Sequence, residues 1–303
     1  MSVYAVSIEG VEKRYERFQL GPIRLKVEPG VVVAIVGSNG SGKTTLFHML
    51  MNTVRPDRGE IRLFGESYAE REVEMKRRIG FMAESSYAEE AGWRIRDIVS
   101  FTSHWYPNWD AGKWEALAER FELDPKAKVN LLSKGMKRRL MFSLCIAQNP
   151  ELLLLDEPSS GLDPSAWRIM LDEIKKFMTA GDRTVLMATH TMEEVRRLAD
   201  YVAFVHDGKL LEYKDKDALS YDWKTLWIGE AVGETEALQL PGVVACELGT
   251  ITRLTTRDAS ATEQALEHAG IEIVNRQPVE LDEMLHQLIV MEKQNYTKEL
   301  TGR

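Results

Sequence analysis

The sequence predicts an α/β fold for its first 215 or so residues. Short apolar segments of strand character alternate there with segments of helical pattern, which is typical of a sheet covered by helices. Residues 31–36 form a nearly continuous β-branched run, as expected for a strand buried on both faces. This run leads into a glycine-rich loop, and a helix is expected from Lys43 to about Met51.

Three further strands are predicted in the same part of the chain. Residues 60–64 follow a Pro-Asp-Arg-Gly turn at 56–59 and alternate in character as a strand does. Residues 152–156 and 184–188 are short apolar runs and indicate buried strands. Together with residues 31–36, they predict a sheet whose strands are separated by helices.

Strand character stops between residues 84 and 133, where the pattern is mainly helical. We therefore expect a helical subdomain, about residues 84–135, inserted into a domain of residues 1–218. Four tryptophans are concentrated in this stretch: Trp93, Trp105, Trp109 and Trp114. Two interpretations stay open, since these aromatic side chains either fill a core or form a face that docks a partner.

The remainder of the chain predicts a small α+β domain, residues 219–303, connected through a weak link at 215–223. Its predicted strands are residues 224–228, 243–248, 251–255 and 271–274. Its predicted helices are residues 259–269 and 280–291.

Length and composition restrict the class of protein. The 303 residues are 44% apolar and 28% charged, which suits roughly two folded domains and excludes a mainly disordered chain. The net charge of −8 argues against a general nucleic-acid-binding protein, and we expect no nucleic-acid partner. Cys145 and Cys246 lie far apart, which favours a reducing compartment. Because the apolar runs fall short of roughly 20 residues and the N-terminus lacks a signal core, we expect the chain itself to be cytosolic.

The strongest motif is GSNGSGKT at residues 37–44, which matches the phosphate-loop pattern between a buried strand and a helix. Its glycines let successive backbone N–H groups turn toward an anion, and the helix N-terminus adds partial positive charge. Lys43 is expected to reach the β- and γ-phosphates, and Thr44 to offer a hydroxyl to Mg²⁺. The predicted nucleotide-binding residues of this segment are Gly37, Ser38, Asn39, Gly40, Ser41, Gly42, Lys43, Thr44 and Thr45.

Two acids follow the apolar strand at 152–155. Asp156 and Glu157 lie at its carboxyl end, the edge at which open α/β sheets bind ligands. Asp156 fits the role of holding Mg²⁺, directly or through water. Glu157 is expected to orient and deprotonate the attacking water.

Six elements in order give the chain a resemblance to the nucleotide-binding subunits of ATP-binding cassette (ABC) transporters. The resemblance covers about residues 3–215 and implies a P-loop ATPase core with an inserted helical subdomain. It rests on the phosphate loop, an adenine-stacking aromatic, a Q-loop start, a signature segment, a D-loop and a switch histidine. The corresponding positions are 37–44, Tyr15, 80–84, 132–136, 160–163 and His190.

The resemblance also implies roles for individual residues. His190 would contact the γ-phosphate and hold the water in line with Glu157. Ser133, Gly135 and Asp163 would contact ATP, with Ser133 capping a helix at the γ-phosphate. Glu84 would act in catalysis and in the Mg²⁺ shell, although the family has glutamine there and a carboxylate adds charge.

The second departure from the family pattern is the signature segment, which reads LSKGM where LSGGQ is usual. Lys134 therefore adds a positive charge, and Lys137, Arg138 and Arg139 follow it. The acidic chain argues against nucleic-acid binding by this cluster. We expect a solvated basic face with Lys134 close to a phosphate.

Partners follow from the resemblance as well. Two ATPase subunits, identical or different, would pair head-to-tail around ATP and Mg²⁺, and each signature segment would close the other subunit's site. A transmembrane permease subunit would bind the helices at roughly residues 84–121, at the cytoplasmic face of the cell membrane. The C-terminal part favours the exporter branch. The alternative is a soluble ABC ATPase that acts on ribosomes or DNA.

Overall fold

The computed structural model of the protein describes residues 3–83, 92–229 and 232–301. The chain divides into two compact units, Met1–Leu210 and Leu211–Arg303. The first unit alternates strands and helices, so the predicted α/β fold class is confirmed.

A six-stranded sheet forms the centre of the first unit. Its strands are β3 (Val32–Val36), β5 (Ile79–Met82), β6 (Leu152–Asp156), β7 (Thr184–Thr189), β8 (Tyr201–His206) and β9 (Lys209–Asp215), in the order β5-β6-β7-β3-β8-β9. The five strands from β5 to β8 pair in parallel. Every residue of β3, β6 and β7 is buried, as the continuous apolar runs predicted. The carboxyl ends of these three strands therefore meet at one sheet edge.

A second, antiparallel sheet in this unit was not distinguished in the sequence. It consists of β1 (Val6–Arg14), β2 (Gln19–Val27) and β4 (Arg58–Leu63), in the order β2-β1-β4. The strand predicted at 60–64 is β4 and belongs here rather than to the central sheet. Local pattern identifies a strand but does not reveal its partner, because pairing is decided by contacts distant in sequence.

Helices of the first unit pack around these sheets. They are α1 (Lys43–Leu50), α2 (Tyr68–Arg77), α3 (Ile95–Trp105), α4 (Ala111–Arg120), α5 (Lys134–Ala147), α6 (Pro164–Met178) and α7 (Met192–Leu198). Three of them, α3 to α5, lie between β5 and β6: α3 and α4 fall in the stretch predicted to be helical, and α5 follows it. None of the four tryptophans there is fully buried, and Trp105 is 52% exposed. The interpretation that they fill a core is therefore wrong for Trp93 and Trp105, which are exposed, whereas Trp109 and Trp114 are half-buried.

The second unit is a four-stranded antiparallel sheet with helices. The strands are β10 (Lys224–Ile228), β11 (Val243–Glu247), β12 (Thr252–Thr256) and β13 (Ile273–Pro278), in the order β11-β12-β10-β13. The helices are α8 (Lys216–Asp222), α9 (Glu234–Ala237), α10 (Ala259–His268) and α11 (Leu281–Thr301). The connection β10-α9-β11-β12-α10-β13 is the split βαβ arrangement. Leu226, Ile228, Leu254 and Leu266 form its core.

The predicted weak link at 215–223 is wrong, because most of it is helix α8. Asp215 caps this helix by accepting a hydrogen bond from the backbone N–H of Ala218 at 2.9 Å. Leu219 and Trp223 are buried, which anchors the segment in the second unit. In the part of the chain that the structure describes, no helix combines the length and apolar character needed to cross a bilayer.

The central sheet supplies a direct test of the fold. Replacing the fully buried Leu154 of β6 (Leu154→Ala) is expected to lower the free energy of unfolding by about 2–5 kcal/mol, because it removes apolar contacts and leaves a cavity. Urea denaturation measures the change. The control Val73→Ala, at a side chain 60% exposed on α2, is expected to stay within about 0.5 kcal/mol of wild type. Equal effects of the two substitutions would contradict the buried position of β6.

Candidate functional site

The predicted phosphate loop connects β3 to α1 at the carboxyl edge of the central sheet. Gly42 caps the helix with φ +103°, a conformation that favours glycine. A Cβ at Gly37 would lie 2.1 Å from the carbonyl oxygen of Val205, so no side chain fits there. Lys43 is buried, and its Nζ donates to the carbonyl oxygens of Gly37 at 2.7 Å and Ser38 at 3.1 Å. The ammonium group is thus held at the concave side of the loop.

A cleft of about 760 Å³ opens beside this loop. It contains seven of the nine predicted loop residues and, from the neighbouring strands, both Glu157 and His190. The lining residues are Phe18, Asn39, Gly40, Ser41, Gly42, Lys43, Thr44, Thr45, Glu157, Ser160 and His190. Residues distant in sequence therefore converge on one space large enough for a nucleotide.

Glu157 and His190 form a hydrogen-bonded pair in this cleft. His190 Nδ1 lies 2.8 Å from Glu157 Oε2, and Lys43 Nζ lies 3.8 Å from Glu157 Oε1. The Glu157 backbone has φ +49°, an uncommon value for a residue with a side chain, and its N–H donates to the carbonyl of Ala188 at 2.8 Å. Such backbone strain is concentrated at functional sites in proteins. The Glu157 carboxylate is thereby held between the imidazole of His190 and the ammonium group of Lys43.

Five charged side chains are buried among the residues that the structure describes, and all five lie at this sheet edge. They are Lys43, Arg138, Asp156, Glu157 and Glu194. A buried charge costs free energy unless other charges or dipoles compensate it. The concentration of three acids and two cations in one place is what a site for a charged ligand requires.

Glu194, on α7, is the member of this group that the sequence analysis missed. Its Oε1 accepts a hydrogen bond from the backbone N–H of Ser159 at 3.2 Å, close to Glu157 in the chain. Burial raises the pKa of the Glu194 carboxyl above its usual range, and the nearby charge of Glu157 acts in the same direction. Glu194 therefore joins the segment after β6 to the segment after β7.

The predicted signature segment begins helix α5. Ser133 caps it, since its Oγ accepts from the N–H of Met136 at 3.2 Å. A Cβ at Gly135 would lie 2.6 Å from the carbonyl oxygen of Gly161. Lys134 Nζ donates to Ser160 Oγ at 2.9 Å. The signature segment and the D-loop thus pack closely within one chain, and neither Ser133 nor Gly135 lines the cleft of its own subunit.

Asp163 ends the D-loop as the cap of helix α6. Its carboxylate accepts hydrogen bonds from the backbone N–H groups of Ser165 and Ala166 and pairs with Arg139 of α5. These contacts, first among them the Ala166 N–H, lower the pKa of Asp163 to about 2. The D-loop end and α5 are therefore joined by an ion pair as well as by the glycine contact.

Other predicted positions come out differently. Tyr15 is 43% exposed and does not line the cleft; Phe18, whose ring centre is 6.4 Å from that of Tyr15, does. Arg138 is 3% exposed, so the solvated basic face is wrong at this position. Glu84 lies outside the described residues. Ser160 is the first residue of the recognised D-loop, and Phe18 could have been found as a neighbour of Tyr15. No local pattern singles out Glu194 or Arg138.

Comparison with known proteins agrees with this geometry. The profile of the ABC transporter family matches residues 20–160. Nod factor export ATP-binding protein I of Burkholderia thailandensis is 33% identical over 216 residues, which cover 69% of this chain and 70% of the relative. Daunorubicin resistance ATP-binding protein DrrA3 of Streptomyces coeruleorubidus is 33% identical over 224 residues, 72% of this chain and 71% of the relative.

A solved structure gives the same answer for the fold. The ATP-binding subunit of an ABC transporter superimposes with a TM-score of 0.65 at 24% identity, covering 72% of this chain and 92% of that one. At this identity the likeness concerns the fold alone. From the sequence relatives and the family match, together with the loop, the acidic strand end and the histidine in one cleft, it follows that the chain belongs to the ABC transporter family of ATP-binding proteins.

Proposed function

We propose that this chain is the ATP-hydrolysing subunit that powers export through a separate membrane-embedded permease, at the cytoplasmic face of the cell membrane. The meeting of Lys43, Glu157 and His190 in one cleft of an ABC family chain carries the proposal. The relatives named for Nod factor export and daunorubicin resistance support transport over a soluble ATPase acting on ribosomes or DNA.

Binding of the triphosphate rests on the phosphate loop. Backbone N–H groups of the phosphate loop and the N-terminus of α1 offer donors and partial positive charge to the phosphates. Lys43 adds a full charge from a buried position, where Coulomb attraction is screened less than in water. Phe18, at the cleft wall, supplies an aromatic face beside the loop for the base.

Hydrolysis requires a base for the attacking water. Glu157 takes the proton of the water at a carboxylate oxygen, while His190, bonded to Oε2, orients that carboxylate and reaches the γ-phosphate from the cleft mouth. His190 is 56% exposed, so it remains open to the ligand. Because the hydrogen bond to His190 already orients the Glu157 carboxylate, this base does not have to be ordered during each turnover.

The residues fit Mg²⁺ as the metal. Thr44, which lines the cleft, and Asp156, fully buried at the carboxyl end of β6, are hard oxygen donors. In the described ranges no three acidic, histidine or cysteine side chains gather into a metal site. Mg²⁺ is the ion usually held by one or two protein oxygens together with substrate phosphates and water. When bound, Mg²⁺ would neutralise phosphate charge; Thr44 and Asp156 would hold it, and Glu84 is a further expected ligand.

Closure of the site involves a second ATPase subunit. Ser133 and Gly135 begin a helix whose N-terminus suits an anion, yet they do not line the cleft of their own chain. Head-to-tail pairing gives them the γ-phosphate of the second subunit as a ligand. ATP then stabilises the closed pair because it binds that state more tightly than the open one.

The permease binds at an apolar groove between β5, α3 and α5. This groove, of about 520 Å³, is bordered by Phe101 and Trp105, which are 54% and 52% exposed. Trp93, Phe101 and Trp105 form a continuous series of edge-to-face aromatic contacts. Exposed aromatic clusters of this kind are enriched at protein interfaces, which suits a cytoplasmic segment of the permease as the occupant.

Loss of the phosphate-loop cation tests nucleotide binding. Lys43→Ala is expected to weaken ATP binding by at least about 10-fold, because a hydrogen bond to a charged group contributes about 1.5–3 kcal/mol. Isothermal titration calorimetry with ATP and Mg²⁺ measures this, with the exposed Lys126→Ala as a control. Affinity equal to that of wild type would remove Lys43 from the phosphates.

The paired arrangement makes a separate prediction. Glu157→Gln retains ATP binding but loses the base, so it is expected to accumulate as a dimer with ATP in size-exclusion chromatography. Adding Ser133→Arg is expected to restore monomers by steric and charge conflict at the partner's site. Persistence of the dimer in the double variant would rule out head-to-tail pairing.

The permease groove is tested by Trp105→Ala. With the aromatic border removed, stimulation of ATP hydrolysis by the co-expressed permease is expected to fall at least about fivefold, while hydrolysis by the isolated chain stays within about twofold. Tyr221→Ala, an exposed aromatic outside the groove, is the matched control. A permease response that survives Trp105→Ala but not Tyr221→Ala would place the interface elsewhere.

A further inference from the structure

Arg138 occupies an unusual position for a cation. It lies in the second turn of α5, directly after the signature segment, and only 3% of it is exposed. The other buried cation of the described residues, Lys43, belongs to the phosphate loop and has its role there. Arg138 has no such motif to explain why a guanidinium is buried, a placement that proteins rarely adopt without compensating partners.

The contacts of Arg138 identify what it holds. Its Nη1 donates to the carbonyl oxygen of Asp156 at 2.9 Å and to that of Ala83 at 3.0 Å. Asp156 is the last residue of β6, and Ala83 directly follows β5. These two strands are parallel neighbours, with Met82 opposite Leu155. One nitrogen therefore joins α5 to two adjacent strand ends at the edge of the sheet that carries the site.

The charge of Arg138 is also matched to its surroundings. The same edge contains three buried acids, Asp156, Glu157 and Glu194. A cation buried at the same edge offsets part of the free-energy cost of burying acidic side chains there. Charge-assisted hydrogen bonds to carbonyls are stronger than neutral ones, so the link between α5 and β6 is stiff.

We propose that Arg138 is a positioning residue for ATP hydrolysis: it ties the backbone of the metal-holding Asp156 to the helix that begins with the signature segment. This inference rests on the proposed function. Movement of α5 during pairing of two subunits is then transmitted to Asp156 and, through the adjoining peptide bond, to Glu157. Asp156 and Glu157 therefore take the positions needed for hydrolysis only when α5 has reached its position in the paired state.

A merely structural role makes a different prediction. If Arg138 only supports folding, its loss would lower thermal stability and weaken all nucleotide binding together. If it positions Asp156, ATP affinity without metal stays close to wild type, whereas the gain in affinity produced by Mg²⁺ and the rate of hydrolysis both fall. The ratio of affinities with and without Mg²⁺ is therefore the informative measurement.

The test compares Arg138→Met, Arg138→Lys and a control, Arg168→Met, whose arginine is exposed on α6. Calorimetric titration with ATP is made in Mg²⁺ and in EDTA, and steady-state hydrolysis gives kcat and KM. Arg138→Met is expected to lower kcat at least about 10-fold and the Mg²⁺-dependent gain in affinity at least about threefold. Its affinity in EDTA is expected to stay within about threefold of wild type.

Arg138→Lys serves as the rescue and as the safeguard against misfolding. A single nitrogen donates both of these hydrogen bonds, and an ammonium has three donors, so lysine is expected to restore kcat to within about threefold of wild type. A lysine variant as impaired as the methionine variant, or a methionine variant with wild-type kcat, overturns the inference. Absence of hydrolysis by the wild-type chain, alone and with its permease, would instead overturn the proposed function.

Discussion

The burial of charge at the carboxyl edge of the central sheet is the constraint on which the rest of the molecule depends. Three acidic and two cationic side chains are buried there. Burying each of them costs free energy, which the neighbouring opposite charges offset. The sheet makes this possible because parallel strands present their carboxyl ends side by side. The fully buried strands β3, β6 and β7 hold these residues in place. Strand β3 leads into the loop that carries Lys43, and β6 ends at Asp156, directly before Glu157.

Around this edge, the first unit is organised as a set of links between segments distant in sequence. Glu194 connects the segment after β6 to α7, Arg138 connects two strand ends to α5, and Arg139 connects α5 to Asp163. The links made by Arg138 and Arg139 each join a residue outside the recognised motifs to a residue within one. These side-chain contacts hold the motifs in fixed relative positions, although the motifs lie far apart in the sequence.

The sequence was informative where a function imposes a local pattern. The phosphate loop needs its glycines in a fixed order, as the lack of room at Gly37 illustrates, and a strand buried on both faces needs an unbroken apolar run. It was uninformative where a role depends on long-range contact. Arg138 reads as one charge in a basic cluster until α5 packs on β5 and β6. Likewise, β1 and β2 form a sheet of their own with β4 only through pairing that periodicity does not encode.

The contact of Gly135 with Gly161 limits how the signature segment and the D-loop can move. With no room for even a methyl group between them, the signature segment and the D-loop cannot change shape independently. A side chain introduced at position 135 therefore requires the backbone at Gly161 to shift. Because Asp163 lies two residues further on and caps α6, such a shift also disturbs the start of that helix.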